Sequence, residues 1–424
     1  MIVVKIGGKI MFNNVYPREK YLKKIRPFYD SDIIKVITGI RRCGKSFILK
    51  AIMNELIDRG IPKTQIIYIP LDRRGYKNIK TSEELETKIE SMLGDDENYY
   101  LFIDEVQNVF GFESVIHAYA EEGYSIFLTG SNSYLLSDEI STKLTGRYLN
   151  FETFTLDFSE YLEMKRFFKK KIDQDIYVEF EEYILNGGFP KTIEFDDIQA
   201  RQTYTRGIIS EIFEKDVKTR KRISNVPVYE RVQSFLLNNY SAPFSLSNLL
   251  ECLEKEGYKT KATTVRGYIE DLKKAKIIYE CNRFDLKSKK SLRREQKYYL
   301  SDLAIYFAMS TDNRLSYGPS LENMVYLYLA SQDYQISIGK IGKLECDFIT
   351  RNTSGDYAYI QVTYTMQGED IKATERIKER EYRPFRKIRD GYPRYIVSLD
   401  RFRDQQEGVH HINAIDLFLG KEKI

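Results

Sequence analysis

A chain of 424 residues exceeds what one compact core organises and predicts two to four domains. With 42% hydrophobic and 30% charged residues it is not a disordered chain, and no apolar run approaches the ~20 residues of a transmembrane helix. A net charge of +4, from 66 Lys and Arg against 62 Asp and Glu, gives no nucleic-acid role by total charge and leaves any such role to local clusters.

The segment Met1 to Gly8 lacks the apolar core and cleavage site of a secretory signal, so a cytoplasmic location is expected, with Met11 as an alternative start. Ile33 to Thr38 reads as an apolar strand, and from Ser46 to Leu56 the residues Phe47, Ile48, Ala51, Ile52 and Leu56 recur at helical spacing. Between them, Gly39-Ile40-Arg41-Arg42-Cys43-Gly44-Lys45-Ser46 fits G-x-x-x-x-G-K-[ST]. In this strand-to-helix context, backbone N–H groups face phosphate oxygens at a helix N-terminus whose partial positive charge favours anions. Gly39 through Phe47 are therefore the expected nucleotide loop. Lys45 supplies a charge for the β/γ-phosphates and the Ser46 hydroxyl ligates Mg²⁺, so ATP and Mg²⁺ are the expected cofactors. Cys43 is either a small loop residue or a thiol whose modification would block nucleotide binding. It and Cys252, Cys281 and Cys346 form no C-x-x-C pair, which argues against a zinc site or a disulfide framework.

Further along, Gln65 to Ile69 reads as a strand and Ser82 to Leu93 as a helix opened by Ser82, with Glu83 and Glu84 in its first turn. Tyr99 to Ile103 is another apolar strand, and it ends in Asp104-Glu105. At a strand end beside a phosphate loop, Asp104 would hold Mg²⁺ and Glu105 would orient and deprotonate the attacking water. Ser125 to Thr129 forms a strand ending at Gly130-Ser131-Asn132, where Asn132 either positions that water or simply forms the turn. A helix from Asn132 to Leu144 leads to Gly146-Arg147 and a fifth strand, Tyr148 to Phe154.

The runs Val36 to Ser46, Phe102-Ile103-Asp104-Glu105-Val106-Gln107, Leu128 to Ser133, Leu144-Thr145-Gly146-Arg147, Asp157 to Leu162 and Gly187-Gly188-Phe189-Pro190 occur in one order. By these motifs nearly the whole chain resembles the AAA+ P-loop ATPases whose C-terminal half is an uncharacterised domain, DUF4143. The resemblance implies a core sheet of order 5-1-4-3-2 and Lys45 and Ser46 as phosphate and Mg²⁺ ligands. It also implies Asp104 and Glu105 as the acidic pair and Asn132 as sensor 1. Arg147 stands where such ATPases keep an arginine that reaches a neighbouring γ-phosphate, or it is a surface cation, and a finger in trans would require an oligomer. Phe112 replaces the tryptophan usual after the acidic motif, a change expected to affect packing rather than chemistry.

The expected architecture is thus α/β. It comprises an AAA+ core over 1–155, a helical lid over 156–225, a winged helix over 226–305 and a degenerate PD-(D/E)XK-like domain over 306–424. In the lid, Gly187 to Pro190 is either a hinge or a plain interhelix loop. The winged helix would have helices near Val228–Asn238, Ser245–Lys255 and Ala262–Ala275, then a hairpin of Ile277–Phe284 and Gln296–Leu300 with a basic tip over 287–294. Lys259, Lys261, Thr263, Thr264 and Arg266 could meet duplex DNA, although such modules also bind proteins. In the last domain Glu322, Asp347 and Gln361 stand in nuclease-like order, but Gln361-Val362-Thr363 lacks the carboxylate and the lysine that a metal-dependent nuclease needs. Glu345 shares a strand face with Asp347, which leaves a rearranged site open, and Glu322 could equally cap a helix or face solvent. The 33 tyrosines are expected mainly in the core. The function expected is Mg·ATP hydrolysis coupled to binding or remodelling DNA or a protein, with no membrane partner. An ATP-regulated nuclease and a non-hydrolysing nucleotide switch are the alternatives.

Overall fold

A computed structural model describes residues 3–6, 9–96, 98–130, 147–218, 223, 225–288, 290–310, 317–403 and 405–424, and within these the side chains of 3–11 and 291–295 are not described. The chain divides into two units, Met1–Thr153 and Phe154–Ile424.

In the first unit, strands β1 (Ile34–Thr38), β2 (Ile66–Pro70), β3 (Tyr100–Asp104), β4 (Ser125–Gly130) and β5 (Tyr148–Glu152) form a parallel sheet in the order β2-β3-β4-β1-β5. This is the expected 5-1-4-3-2 order read from the other edge. Strands β1, β3 and β4 are buried along their whole length, which is why their sequences read as unbroken apolar runs. Alternation sends Val36, Ile67, Ile103 and Leu128 to one face, where they meet α3 (Ser82–Glu90) and α4 (Phe112–Glu121). Ile37, Phe102 and Phe127 go to the other face, against α1 (Glu19–Ile25) and α2 (Lys45–Asp58), whose Ile48, Leu49, Ile52 and Leu56 share one stripe. Each such side chain, fully buried, contributes about 1.5–3 kcal/mol. Phe112 is buried in the first of these cores, the packing position expected for it. The α3 cap falls one residue earlier than expected. Thr81, not Ser82, accepts from the Glu84 N–H, and Glu84 reaches back to complete a capping box. Lys35 breaks the apolar pattern of β1. Its Nζ donates to the Ser31 carbonyl at 2.9 Å and to Ser125 Oγ at 2.8 Å, and burial pushes its amine down to about 7.

The second unit begins with α5 (Phe158–Phe167), α6 (Ile176–Asn186) and α7 (Ile198–Ile212). Next come α8 (Val226–Asn238), α9 (Leu246–Lys255), α10 (Ala262–Lys274) and the hairpin β6 (Ile278–Asp285) to β7 (Lys290–Leu300). After α11 (Leu303–Met309) and α12 (Tyr317–Ser331) run β8 (Gln335–Ile341), β9 (Leu344–Arg351), β10 (Tyr357–Val362), α13 (Ile371–Tyr382), β11 (Arg394–Ser398), β12 (Val409–Asn413) and α14 (Ala414–Phe418). One seven-stranded sheet, β12-β11-β10-β9-β8-β6-β7, takes in the hairpin, because β6 pairs in parallel with β8. The division expected between 305 and 306 therefore crosses a continuous sheet.

The same holds for the helices expected as a lid. Helix α11 packs against α6, α7 and α8. Gly187 has φ +68°, and a Cβ on Gly188 would lie 2.1 Å from the Leu156 carbonyl oxygen. The Gly188 N–H donates to the buried Asp302 carboxylate at 2.8 Å, and the same carboxylate caps α11 through Ala304 N–H. Gly187-Gly188 thus anchors the start of this unit to α11 rather than leaving a free loop. No helix among the described residues is long and apolar enough to cross a membrane.

Candidate functional site

Because β1 to β5 are parallel, all their C-terminal ends lie along one edge, and the loop from Gly39 to Gly44 leaves β1 there. Gly39 is required by a close approach. At φ +145° any Cβ would sit 2.1 Å from the Thr153 carbonyl oxygen and 2.9 Å from Cys43 Sγ. Arg42 and Gly44 also have positive φ, and Gly44 is the N-cap of α2, so the loop curls over the helix N-terminus. Ile40 and Cys43 are buried, Arg41 and Ser46 are half-buried, and Phe47 is exposed on α2 under the Lys50 ammonium. Lys45 is 4% exposed, and its Nζ donates to the Gly39 and Ile40 carbonyls at 3.0 and 3.1 Å.

Ser46 Oγ donates to Asp104 Oδ1 at 3.0 Å, which joins the two groups expected to share Mg²⁺. Thr129 Oγ1 donates to the same oxygen, and the Tyr68 hydroxyl donates to Oδ2 at 3.1 Å. Burial, then the charge of Asp104, raises the Tyr68 pKa, so this hydroxyl remains a donor. Thr129 Oγ1 also accepts the Glu105 N–H at 2.9 Å, and Glu105 adopts the left-handed conformation, φ 60° and ψ 49°. For a residue that carries a Cβ this is a strained backbone, the kind that persists where the surroundings over-determine it. The Glu105 carboxylate accepts from Gln107 Nε2. A serine hydroxyl and a carboxylate in contact, next to a loop of N–H groups and a lysine, are a hard-oxygen set that fits Mg²⁺ with a triphosphate.

Sequence reasoning missed Tyr68, Thr129 and Arg18. Thr129 stands next to the end of β4, where a survey of strand ends along the shared edge would have found it, whereas Tyr68 sits in the middle of β2. Arg18 has no such signal. It is buried at the N-cap of α1, stacks on Tyr21, and donates from Nη1 to the Cys43 carbonyl at 3.0 Å. Cys43 itself is fully buried, and burial pushes its thiol pKa up, which favours the small loop residue of the two readings. Asn132 and the helix expected after it lie outside the described residues. Arg147 precedes β5 and pairs by its carbonyl with Ile34 N–H, at the edge of the sheet opposite the loop. Its exposed guanidinium stands 3.8 Å from Glu121, and five residues of strand, about 16 Å, separate it from its own phosphate loop.

In the second unit, Lys259, Lys261, Thr263 and Arg266 are exposed around the start of α10 and Thr264 is half-buried. The nuclease-like residues converge differently from expectation. Glu322 neither caps a helix nor faces solvent. It accepts from Lys297 Nζ at 2.9 Å and from the Tyr299 hydroxyl at 2.8 Å. Lys297 also lies 2.8 Å from Glu345 and 4.0 Å from Asp347. Asp347 Oδ2 accepts the Val362 N–H at 2.8 Å, while the Gln361 amide oxygen accepts the Asp347 N–H and Thr363 is buried. Burial opposes the charge on Lys297, but Glu322, Asp347 and Glu345 outweigh it and hold its pKa above the usual value. Among the described residues, no group of three or more His, Cys, Asp or Glu side chains is disposed to hold a metal ion. With an ammonium among the carboxylates and an amide at 361, this set does not fit the divalent cation of a nuclease.

Residues 31–162 match the family model of an AAA domain, and residues 177–316 match a domain of unknown function, DUF8612, where the resemblance implied DUF4143. An uncharacterized protein of Haemophilus influenzae is 29% identical over 407 residues, 95% of this chain and 98% of its own. An uncharacterized protein of Methanocaldococcus jannaschii is 28% identical over 428 residues, 97% of this chain and 93% of its own. The solved Walker-type ATPase of Pyrococcus abyssi is similar with a TM-score of 0.51 and 18% identity, over 70% of this chain and 97% of that one. The first unit therefore has the α/β P-loop ATPase fold of the AAA type.

Proposed function

We propose that the chain is a Mg²⁺-dependent ATPase that uses hydrolysis to change its grip on duplex DNA or a protein partner. The observation that carries this reading is the contact of Ser46 with Asp104 beside Glu105, whose backbone N–H is held by Thr129, all on the edge where the phosphate loop opens. Loop N–H groups and Lys45 bind the β/γ-phosphates, and Lys45 would exchange its carbonyl partners for phosphate oxygens. Ser46 and Asp104 hold Mg²⁺, which when bound neutralises charge developing on the phosphate oxygens. Glu105 orients a water and accepts its proton as the water oxygen bonds to the γ-phosphorus and the bond to the ADP oxygen breaks. Asn132 assists in placing that water. Arg147, too distant to serve its own site, completes the site of a neighbouring subunit.

The exposed Lys259, Lys261 and Arg266 around the start of α10 favour DNA as the partner. Glu105 speaks against a non-hydrolysing switch, and Gln361 with Thr363 speaks against a nuclease. The test is Mg²⁺-dependent ATP hydrolysis by the chain and by Glu105→Gln, with and without duplex DNA, with DNA integrity read in the same reactions. Turnover abolished in Glu105→Gln and stimulated by intact DNA is the expected result. Tight ATP binding without turnover would replace the reading with a switch, and cut DNA would replace it with a nuclease.

A further inference from the structure

Lys297 comes from β7, far in sequence from the residues it meets, and is 3% exposed. Three carboxylates from two other elements surround its Nζ, Glu322 on α12 and Glu345 and Asp347 on β9. Each carboxylate has a further donor, Tyr299 on Glu322, Arg283 on Glu345 and the Val362 N–H on Asp347. A hard divalent cation would need several oxygen ligands within about 2.6 Å, and the Lys297 Nζ, 2.9 Å from Glu322, 2.8 Å from Glu345 and 4.0 Å from Asp347, stands in the space those ligands would close on. We propose that the Lys297 ammonium fills the cation position of this nuclease-like carboxylate cluster, so that the second unit carries a self-occupied site closed to divalent metal and binds without cutting. A chain cation cannot polarise a scissile phosphate while it is tethered among carboxylates, and Thr363 offers no amine in its stead. The same contacts tie the hairpin to α12 and β9, so the lost catalytic arrangement serves as a staple across the sheet.

The experiment titrates Mn²⁺ against the full chain by electron paramagnetic resonance, in an Asp104→Asn background that silences the phosphate-loop site, and incubates the same samples with plasmid DNA. With Lys297 present, no stoichiometric Mn²⁺ binding is expected up to about 1 mM, and the DNA stays intact. Lys297→Met is expected to bind one Mn²⁺ per chain at least tenfold more tightly, with the binding lost again when Asp347→Asn is added. Mn²⁺ bound by the Lys297 chain and lost on Asp347→Asn would overturn the proposal, as would Asp347-dependent nicking or a folded Lys297→Met chain that binds no metal. If Lys297→Met does not fold, the comparison of the Lys297 chain with its Asp347→Asn variant decides alone.

Discussion

The phosphate-loop edge of the first unit and the carboxylate cluster of the second are built from the same residue types, yet they leave different groups for a ligand. Each contains a buried lysine and acidic residues carried by β-strands. At the loop, Lys45 rests on main-chain carbonyls and the Asp104 carboxylate, among the described residues, accepts from the hydroxyls of Ser46, Thr129 and Tyr68, so both charges can be redirected to a nucleotide and its metal. In the cluster, lysine and carboxylates are spent on each other. What separates a reactive site from a staple is whether the counter-charge belongs to the chain, and not which residues are present.

Crossed measurements of turnover and stability break or sharpen this contrast. Glu105→Gln should lower kcat by about 10²–10⁴-fold while leaving the denaturation midpoint unchanged, since the side chain supports chemistry rather than packing. A fall in stability of similar size would make Glu105 a structural group. Lys297→Met without metal should do the reverse. It takes the ammonium away from Glu322 and Asp347, while Glu345 keeps Arg283, and should cost about 3–5 kcal/mol in urea denaturation, with basal ATP turnover per folded molecule retained.

Asp302 tests the anchoring of the second unit through pH. Burial pushes its carboxyl up to about 6, against an unfolded value near 3.8, although the Ala304 and Gly188 N–H groups pull it down. The folded chain holds this proton more tightly than the unfolded one. The group's contribution to stability is therefore fully present below the unfolded value and is lost as pH rises through about 6, a swing of about 3 kcal/mol. Asp302→Asn should flatten denaturation profiles between these pH values, and an unchanged profile would assign the slope elsewhere. The smallest effect is expected for Thr129→Val, which strands the Glu105 N–H and removes one donor from Asp104. Stability should fall by about 1–3 kcal/mol, with turnover reduced less than in Glu105→Gln.

The core strands and the acidic pair were legible because buried parallel strands are continuous apolar runs and the phosphate loop has fixed spacing, whereas the strand order came only from the family resemblance. The helices α8 to α10 fall close to the bounds expected for them, and Ser245, expected to open the second, caps it. Lys35 and Lys297 were not legible, since a buried lysine inside a strand contradicts every local preference and is explained only by distant partners such as Ser125 or Glu345. The pairing of β6 with β8 was hidden for a related reason. A hairpin of local origin reads as complete, and nothing in its pattern announces a parallel neighbour some fifty residues later.

The link from Gly188 to Asp302 and the seating of Lys297 among Glu322, Glu345 and Asp347 bear on how such a gene can change. A crossover after codon 225 or 305 would separate Gly188 from Asp302 or Lys297 from its carboxylates, leaving a buried carboxylate or ammonium alone. The helices, the hairpin and the sheet beyond them are thus inherited together or lost together. A lineage seeking a new target is confined to the exposed residues of α10 and its surroundings, which it can rewrite without touching either anchor.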